Sequence, residues 1–353
     1  MSLSITEFLS LREARPLIDV RSEGEFLAGH IAGAINIPLL NNTERIAVGT
    51  DYKLKGKTEA IKTGFRLVGP RLEEIVSEAL KITGNKRALV YCWRGGMRSR
   101  NFCGFLQMAG TASDLLTGGY KAYRQLATSY YEQRFPFIVI GGKTGSGKSE
   151  ILRGLEAAGE QVVDLERLAN HKGSAFGGLM HGNQPTTEQF QNEIFEQLLK
   201  INPARPVWIE DESIAIGKVF LPTIFWQQKN ESPVIEIEVD KSERINRLVS
   251  EYGPADRTEF LGAMEKITKK LGGQNFILAK ELLLQGDMHR TIEILLTYYD
   301  KNYGASLEKK KKQIVANIPW SGQTLSEIVP ELIAAGKQLM QRGLLHSVSQ
   351  HAG

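Results

Sequence analysis

Phe137-Ile138-Val139-Ile140-Gly141-Gly142-Lys143-Thr144-Gly145-Ser146-Gly147-Lys148-Ser149 is the stretch on which the fold turns. Its four leading apolar residues read as a short strand buried on both faces. The glycine-rich run from Gly142 to Ser149 fits the phosphate-loop pattern G-x-x-x-x-G-K-[ST] and opens a segment of helical spacing, the context this motif needs. Backbone N–H groups from Lys143 to Lys148, across Thr144, Gly145, Ser146 and Gly147, can wrap a diphosphate. Lys148 supplies a point charge for the terminal phosphate, and Ser149 can ligate a magnesium ion. Phosphate binding is therefore expected. Hydrolysis is not implied, because no arginine finger or water-orienting residue is legible.

Downstream, apolar runs at 161–165, 206–210 and 234–240 are spaced for βαβ units and a parallel sheet. The run Pro206-Val207-Trp208-Ile209 leads into Glu210-Asp211-Glu212, so Glu210 or Asp211 is the candidate acid for the water shell of a metal. The competing reading is an ordinary strand end with solvated acids. His171 lies in a loop expected near the phosphates, although a lone loop histidine is more often structural. From 258 to about 312 the pattern turns helical. It closes on the charge block Glu308-Lys309-Lys310-Lys311-Lys312, which reads first as a solvated helix end. The last ~40 residues carry no usable motif.

Upstream, strands are expected at 16–20 and 87–91, with a helix over 70–82 capped by Gly84. A boundary near residue 134 gives an N-terminal domain of 1–133 and a phosphate-loop domain of 134–353. The strand Ala88-Leu89-Val90-Tyr91 runs into Cys92, then Trp93-Arg94-Gly95-Gly96-Met97-Arg98-Ser99 and a helix. A cysteine at a strand end facing a helix N-terminus sits in a positive field, and the loop amides can turn toward its sulfur. Gly95 and Gly96 allow that bend. Arg94 and Arg98 add charge, and all three effects favour the nucleophilic thiolate over a buried structural thiol. Cys103, within the helix, reads as a core residue.

Composition agrees with a globular α/β protein. The 353 residues are 42% hydrophobic and 24% charged, enough to bury proper cores. Two cysteines exclude a disulfide scaffold and point to a reducing compartment. No apolar stretch reaches membrane-span length, and the N-terminus lacks the apolar core of a secretory signal, so a cytoplasmic location is expected. The net charge of +4 is unevenly spread. Residues 1–133 hold 18 Lys+Arg against 13 Asp+Glu, a positive excess suited to a polyanionic partner. Lys53, Lys55, Lys57, Lys62 and Arg66 are candidate contacts for RNA phosphates, the alternative being a surface loop.

The segments Asp19-Val20-Arg21-Ser22, Glu25-Phe26, Gly29-His30-Ile31 and Gly33 to Pro38, with the Cys92 loop and Gly118-Gly119-Tyr120, resemble rhodanese-type sulfurtransferases. Ordinary single-domain members place four residues between cysteine and arginine. Here there are five, a spacing also found in cysteine phosphatases and suited to a phosphate-bearing donor such as selenophosphate. A rhodanese-like domain followed by a phosphate-loop domain resembles the tRNA 2-selenouridine synthases. So do Val163 to Glu166, Ala169 to Gly177, Glu210 to Ser213 and Tyr299-Asp300 with Tyr303.

That resemblance implies a two-domain α/β fold and a transferase acting on the wobble uridine (U34) of tRNAs for Lys, Glu and Gln. It implies exchange of the sulfur of 2-thiouridine for selenium, through an S-geranyl intermediate made from geranyl diphosphate. Cys92 would carry selenium from selenophosphate as a selenylsulfide, with Arg94 and Arg98 holding phosphate. Lys148 and a magnesium ion would stabilise departing diphosphate, and Trp93 would stack on the base. No tightly bound cofactor or structural metal is expected. An enzyme supplying selenophosphate is the expected partner besides tRNA. Rival readings are an ATP-dependent kinase or NTPase with an accessory sulfur carrier, a cysteine phosphatase fused to a nucleotide-binding module, and a non-catalytic regulator.

Overall fold

The computed structural model describes residues 1–84 and 86–345. The chain divides into two compact units, Met1–Tyr130 and Tyr131–Gly353. The linker end belongs with the second unit through its aromatic contacts. Tyr131 packs 6.0 Å from Phe225, and the Phe135 N–H donates to Gln228 Oε1.

In the first unit β1 (Ser2–Leu3), β2 (Leu17–Asp19), β3 (Ile35–Asn36), β4 (Ala88–Tyr91) and β5 (Ser113–Leu116) form a parallel sheet in the order β1-β5-β4-β2-β3. All four residues of β4 are fully buried, as a central strand covered on both faces requires. The chain lays β3 on one side of β2 and then crosses to build β4 and β5 on the other. The C-terminal end of β4 therefore opens at the point where strand order reverses, the usual crevice of such sheets. Cys92 is the next residue. Helix Leu72–Thr83 is closed by Gly84 at φ 54°, matching the spacing read from sequence.

The basic run from Lys53 to Arg66 is not a surface loop. It lies on two helices, Asn42–Lys55 and Lys57–Val68, joined by Gly56 at φ 87°. The first is nucleated by a capping box in which Asn41 and Glu44 satisfy each other's backbone N–H groups.

In the second unit β6 (Phe137–Gly141), β7 (Gln161–Val163), β8 (Val207–Glu210), β11 (Val234–Glu238) and β12 (Ile314–Pro319) form a parallel sheet in the order β12-β11-β6-β8-β7. β9 (Ala215–Ile216) and β10 (Val219–Phe220) make a small antiparallel pair. β6 is again central and wholly buried. β12 has no counterpart in the sequence reading: Ile314-Val315-Ala316-Asn317-Ile318-Pro319 is short and mixed, and becomes a strand by pairing along β11. Helix Leu325–Gln341 covers the sheet, with Gly336 flat against Trp208, where a Cβ would come within 2.7 Å of the indole. Four helices between Arg257 and Lys310 pack with helix Lys241–Tyr252 around Phe176, Leu248, Phe260, Met264, Leu283 and Leu296. Among the described residues no helix is long and apolar enough to cross a membrane.

Candidate functional site

Each unit presents one loop at the end of its central strand. In the first, Cys92 is buried, and its Sγ accepts hydrogen bonds from the Gly96 N–H at 3.3 Å and the Ser99 hydroxyl at 3.0 Å. The loop is held from behind by the start of helix Gly119–Tyr130. Tyr120 N–H donates to Cys92 O (2.8 Å) and Lys121 N–H to Trp93 O (3.0 Å). Gly119 must be glycine for two reasons. Its φ is 61°, and a Cβ would stand 2.3 Å from Cys92 O and 2.5 Å from Gly95 N. Gly95, at φ 64°, is similarly pressed on Leu116 O.

The two arginines of the loop differ. Arg94 is exposed. Arg98, expected from sequence to add positive charge, is paired with a carboxylate. Its Nη1 and Nη2 donate to Glu25 at 2.6 and 3.2 Å, and Arg45 adds a second cation 3.1 Å from the same carboxylate. A partly buried guanidinium needs a counter-charge. Burial pushes Glu25 up, but Arg98 and then Arg45 outweigh it and hold the carboxyl below its ordinary range. Glu25 is thus a site residue whose partner, 73 positions away, no local pattern reveals. Ser99 was likewise quoted without a role; only the fold shows its hydroxyl on the sulfur.

Deeper, Arg21 forks onto Asp19 (Nη2–Oδ2 2.7 Å), donates to Gly29 O at 2.6 Å and lies 3.9 Å from the Tyr120 ring centre. This explains the Asp-Val-Arg signature as a buried strut under the loop. Trp93 is 37% exposed and leans on Tyr120 at 5.7 Å. Helix Met97–Met108 shows its Gly96–Ser99 side to the sulfur. Met97, Arg98, Asn101 and Phe105 instead line a 350 Å³ cavity closed by Tyr52, Ile61 and Phe65 of the two basic helices.

In the second unit the run after β6 forms the expected phosphate loop. Gly142, Gly145 and Gly147 all have positive φ. At Gly147 (78°) a Cβ would meet Arg247 Nη1 at 2.2 Å and the Trp320 ring at 2.5 Å. Arg247 braces the loop by donating to Ser146 O at 3.0 Å while stacked on Trp320 at 3.6 Å. Arg244, forked onto Asp300 at 2.7 Å, reaches Thr144 O. Lys148 Nζ donates to Gly142 O at 2.8 Å, and Gly142 N–H donates to the Tyr303 hydroxyl, which donates to Glu236. Lys143 is exposed, and the buried Ser146 Oγ has no hydrogen-bond partner.

A 480 Å³ cavity opens over this loop, walled by Thr144, Lys148, Ser149, Arg153, Lys172 and Arg247 among others. A small apolar cleft of about 20 Å³ shares Thr144, Ser174, Leu248, Tyr252 and Tyr299 with it and ends on Phe176, Phe260 and Leu296.

The acids fall differently from the sequence assignment. Asp211 reaches the cavity wall, but its carboxylate is clamped by Lys229 at 3.0 Å and by Lys310. Burial pushes Asp211 up, and the two ammonium groups outweigh it and hold it low. Lys310 therefore leaves the reading of its charge block as a solvated helix end. Glu210 is buried below the cavity, accepting from the Glu166 N–H at 2.7 Å, with Oε2 unpartnered. Burial and neighbouring Asp164 and Glu166 push its carboxyl well up.

The acids that face the loop are Glu166, whose Oε2 accepts from Ser149 Oγ at 2.7 Å, and Glu212. Glu166 is raised by burial, and Glu212 is pushed up to about 7 by burial and Glu166. Glu166 was quoted in the sequence reading without a role. It belongs here because Asp164 caps the short helix Leu165–Ala169 beside the loop. His171 is not on the cavity wall; Gly177 and Gly178 pack on its ring.

Two family models match the chain. A rhodanese-like domain covers residues 4–126, and the tRNA 2-selenouridine synthase AAA domain covers 135–324. The tRNA 2-selenouridine synthase of Nitrosomonas europaea is 34% identical over 348 residues, 84% of this chain and 90% of that protein. The chain belongs to the tRNA 2-selenouridine synthase family. Those of Hydrogenovibrio crunogenus and Shewanella denitrificans are 37% and 32% identical, over 85% and 88% of this chain and 91% and 93% of theirs. The family consists of enzymes that modify tRNA, so both loops belong to an enzyme. Its two domain models fall on the two compact units.

Proposed function

We propose that the chain converts 2-thiouridine at U34 of tRNAs for Lys, Glu and Gln to 2-selenouridine in two steps, with geranyl diphosphate and then selenophosphate as donors. The observation that supports the reading is a phosphate loop whose 480 Å³ cavity is bordered by the side chains of Leu248, Tyr252 and Tyr299. A nucleotide would present a polar sugar and base there, whereas a prenyl diphosphate presents hydrocarbon.

In the first step the thiouridine sulfur attacks C1 of the geranyl group, the C1–O bond breaks, diphosphate leaves, and N3 of the base gives its proton to solvent. Lys148, the loop amides and Arg153 take up the developing charge. The residues present fit a magnesium ion arriving with the diphosphate, since Mg²⁺ keeps most of its waters and takes few protein oxygens. Ser149 and Glu166, whose oxygens lie 2.7 Å apart, would hold it. Bound there, it would supply further charge neutralisation.

In the second step selenium reaches C2 through Cys92, and the alkylated sulfur departs as geranylthiol. The 350 Å³ apolar cavity beside Arg98 offers that chain a place. The exposed basic face of Lys53, Lys57 and Arg66 would meet tRNA phosphates, and Trp93 would stack on the extruded base. Selenophosphate would come from a separate supplying enzyme, and the reaction fits a cytoplasmic setting.

The test is mass spectrometry of nucleosides after incubating the protein with thiolated tRNA, geranyl diphosphate and selenophosphate, each omitted in turn. Lys148→Ala should lose S-geranyl product, while Cys92→Ser should accumulate it without selenation. Selenation that ignores omission of geranyl diphosphate refutes the two-step reading.

A further inference from the structure

Selenium in selenophosphate is already fully reduced and bonded to phosphorus(V). A selenylsulfide on Cys92 would need an oxidant to form, and its delivery to C2 would need a reductant. The chain has two cysteines, both free, and the second, Cys103, stands one helical turn beyond Ser99 and lines a separate cavity with Arg87 and Arg100. The geometry points to a redox-neutral alternative, resting on the reading that selenophosphate is the donor: we propose that Cys92 attacks the phosphorus of selenophosphate, and that Ser99 is a catalytic residue donating to the sulfur when that bond is later broken.

The bonds balance. As Sγ–P forms, P–Se breaks and selenium leaves as hydroselenide with its electron pair. Hydroselenide adds to C2 of the S-alkylated base. The adduct passes its selenium-bound proton to N3 and expels the thiolate, which is protonated by solvent. Water then attacks phosphorus of the cysteinyl thiophosphate, releasing phosphate, a proton and the Cys92 thiolate. No step changes an oxidation state that another must restore.

Three features on the page suit phosphorus rather than selenium. The five residues between Cys92 and Arg98 match the loop spacing of cysteine phosphatases. Arg98 gives two N–H groups to Glu25 and keeps three of its five, so it stays a donor-rich cation six residues from Cys92 while also bordering the 350 Å³ cavity. Ser99 Oγ, fully buried, lies 3.0 Å from Sγ and 3.3 Å from its other acceptor, Gly96 O. A hydroxyl held on a sulfur that must become a leaving thiolate lowers the barrier to hydrolysis of the thiophosphate.

The experiment uses the full-length protein and selenophosphate labelled in parallel with ³²P and ⁷⁵Se, stopped by rapid denaturing quench. The proposal expects ³²P on Cys92, absent in Cys92→Ser, with ⁷⁵Se free. Ser99→Ala should lengthen the life of the ³²P adduct by about ten- to a hundredfold, the worth of a hydrogen bond to a charged group. Ser99→Thr should restore it. ⁷⁵Se held on Cys92 without ³²P overturns the proposal and leaves the donor reading intact. An unchanged adduct lifetime in Ser99→Ala overturns the role of Ser99. Absence of both labels from the wild-type protein also overturns the proposal, and the donor reading falls with it if the tRNA stays unselenated.

Discussion

Replacing Gly119 by alanine tests the idea that the Cys92 loop is moulded on the turn behind it. Two costs add. A side chain at φ 61° is strained by about 1–2 kcal/mol. The new Cβ would also stand within 2.8 Å of three backbone atoms, Cys92 O, Gly95 N and Arg94 N, none of which can rotate away. Overpacking of this kind costs about 1–3 kcal/mol, so the loss should be about 2–5 kcal/mol. Gly110→Ala is the control: its φ is 85°, but nothing lies within 4 Å of its Cβ position, so only the first cost applies. Both cysteines of the chain belong to the first unit. Thiol labelling against urea therefore reports that unit's unfolding without interference from the second. Gly119→Ala should lower the midpoint clearly more than Gly110→Ala and should change Cys92 labelling in native buffer. Equal shifts for the two variants would refute the packing account.

Asp211→Asn should destabilise the second unit by about 3–5 kcal/mol in urea unfolding, because it strands the fully buried Lys229 without its counter-charge; Asp211→Asn with Lys229→Met should recover most of it. Because Asp211 is held below its ordinary 3.8, its contribution is present above about pH 4 and is lost as pH falls through the folded value. Asp211→Asn should flatten that acid limb. With Glu212 titrating about 7 on the cavity wall, metal-free pyrophosphate should bind about tenfold more tightly to the neutral acid below that pH than to the carboxylate above it. Glu212→Gln should remove the step in calorimetric titrations relative to wild type. Binding of tRNA should weaken steeply with salt, and Lys53→Ala or Arg66→Ala should each reduce the logarithmic salt slope by about 0.7–0.9.

Much of this protein is local in its sequence. The buried strand, the glycine loop and the helix after it announce a phosphate site because their chemistry lies within thirteen consecutive residues, and the Cys92 loop is similarly contiguous. The helical stretch before residue 310 is legible from its period alone. Only the tertiary structure decided which groups meet across sequence distance. Glu25 faces Arg98, Lys229 and Lys310 neutralise Asp211, and Glu166 with Glu212 reaches the cavity while Glu210 sinks below it. β12 becomes a strand only when β11 offers it a hydrogen-bonding edge. The physical reason is the same in each case. Backbone conformation and loop chemistry are set by neighbours in the chain, whereas the state of a buried charge depends on whichever opposite charge folding brings within a few ångströms.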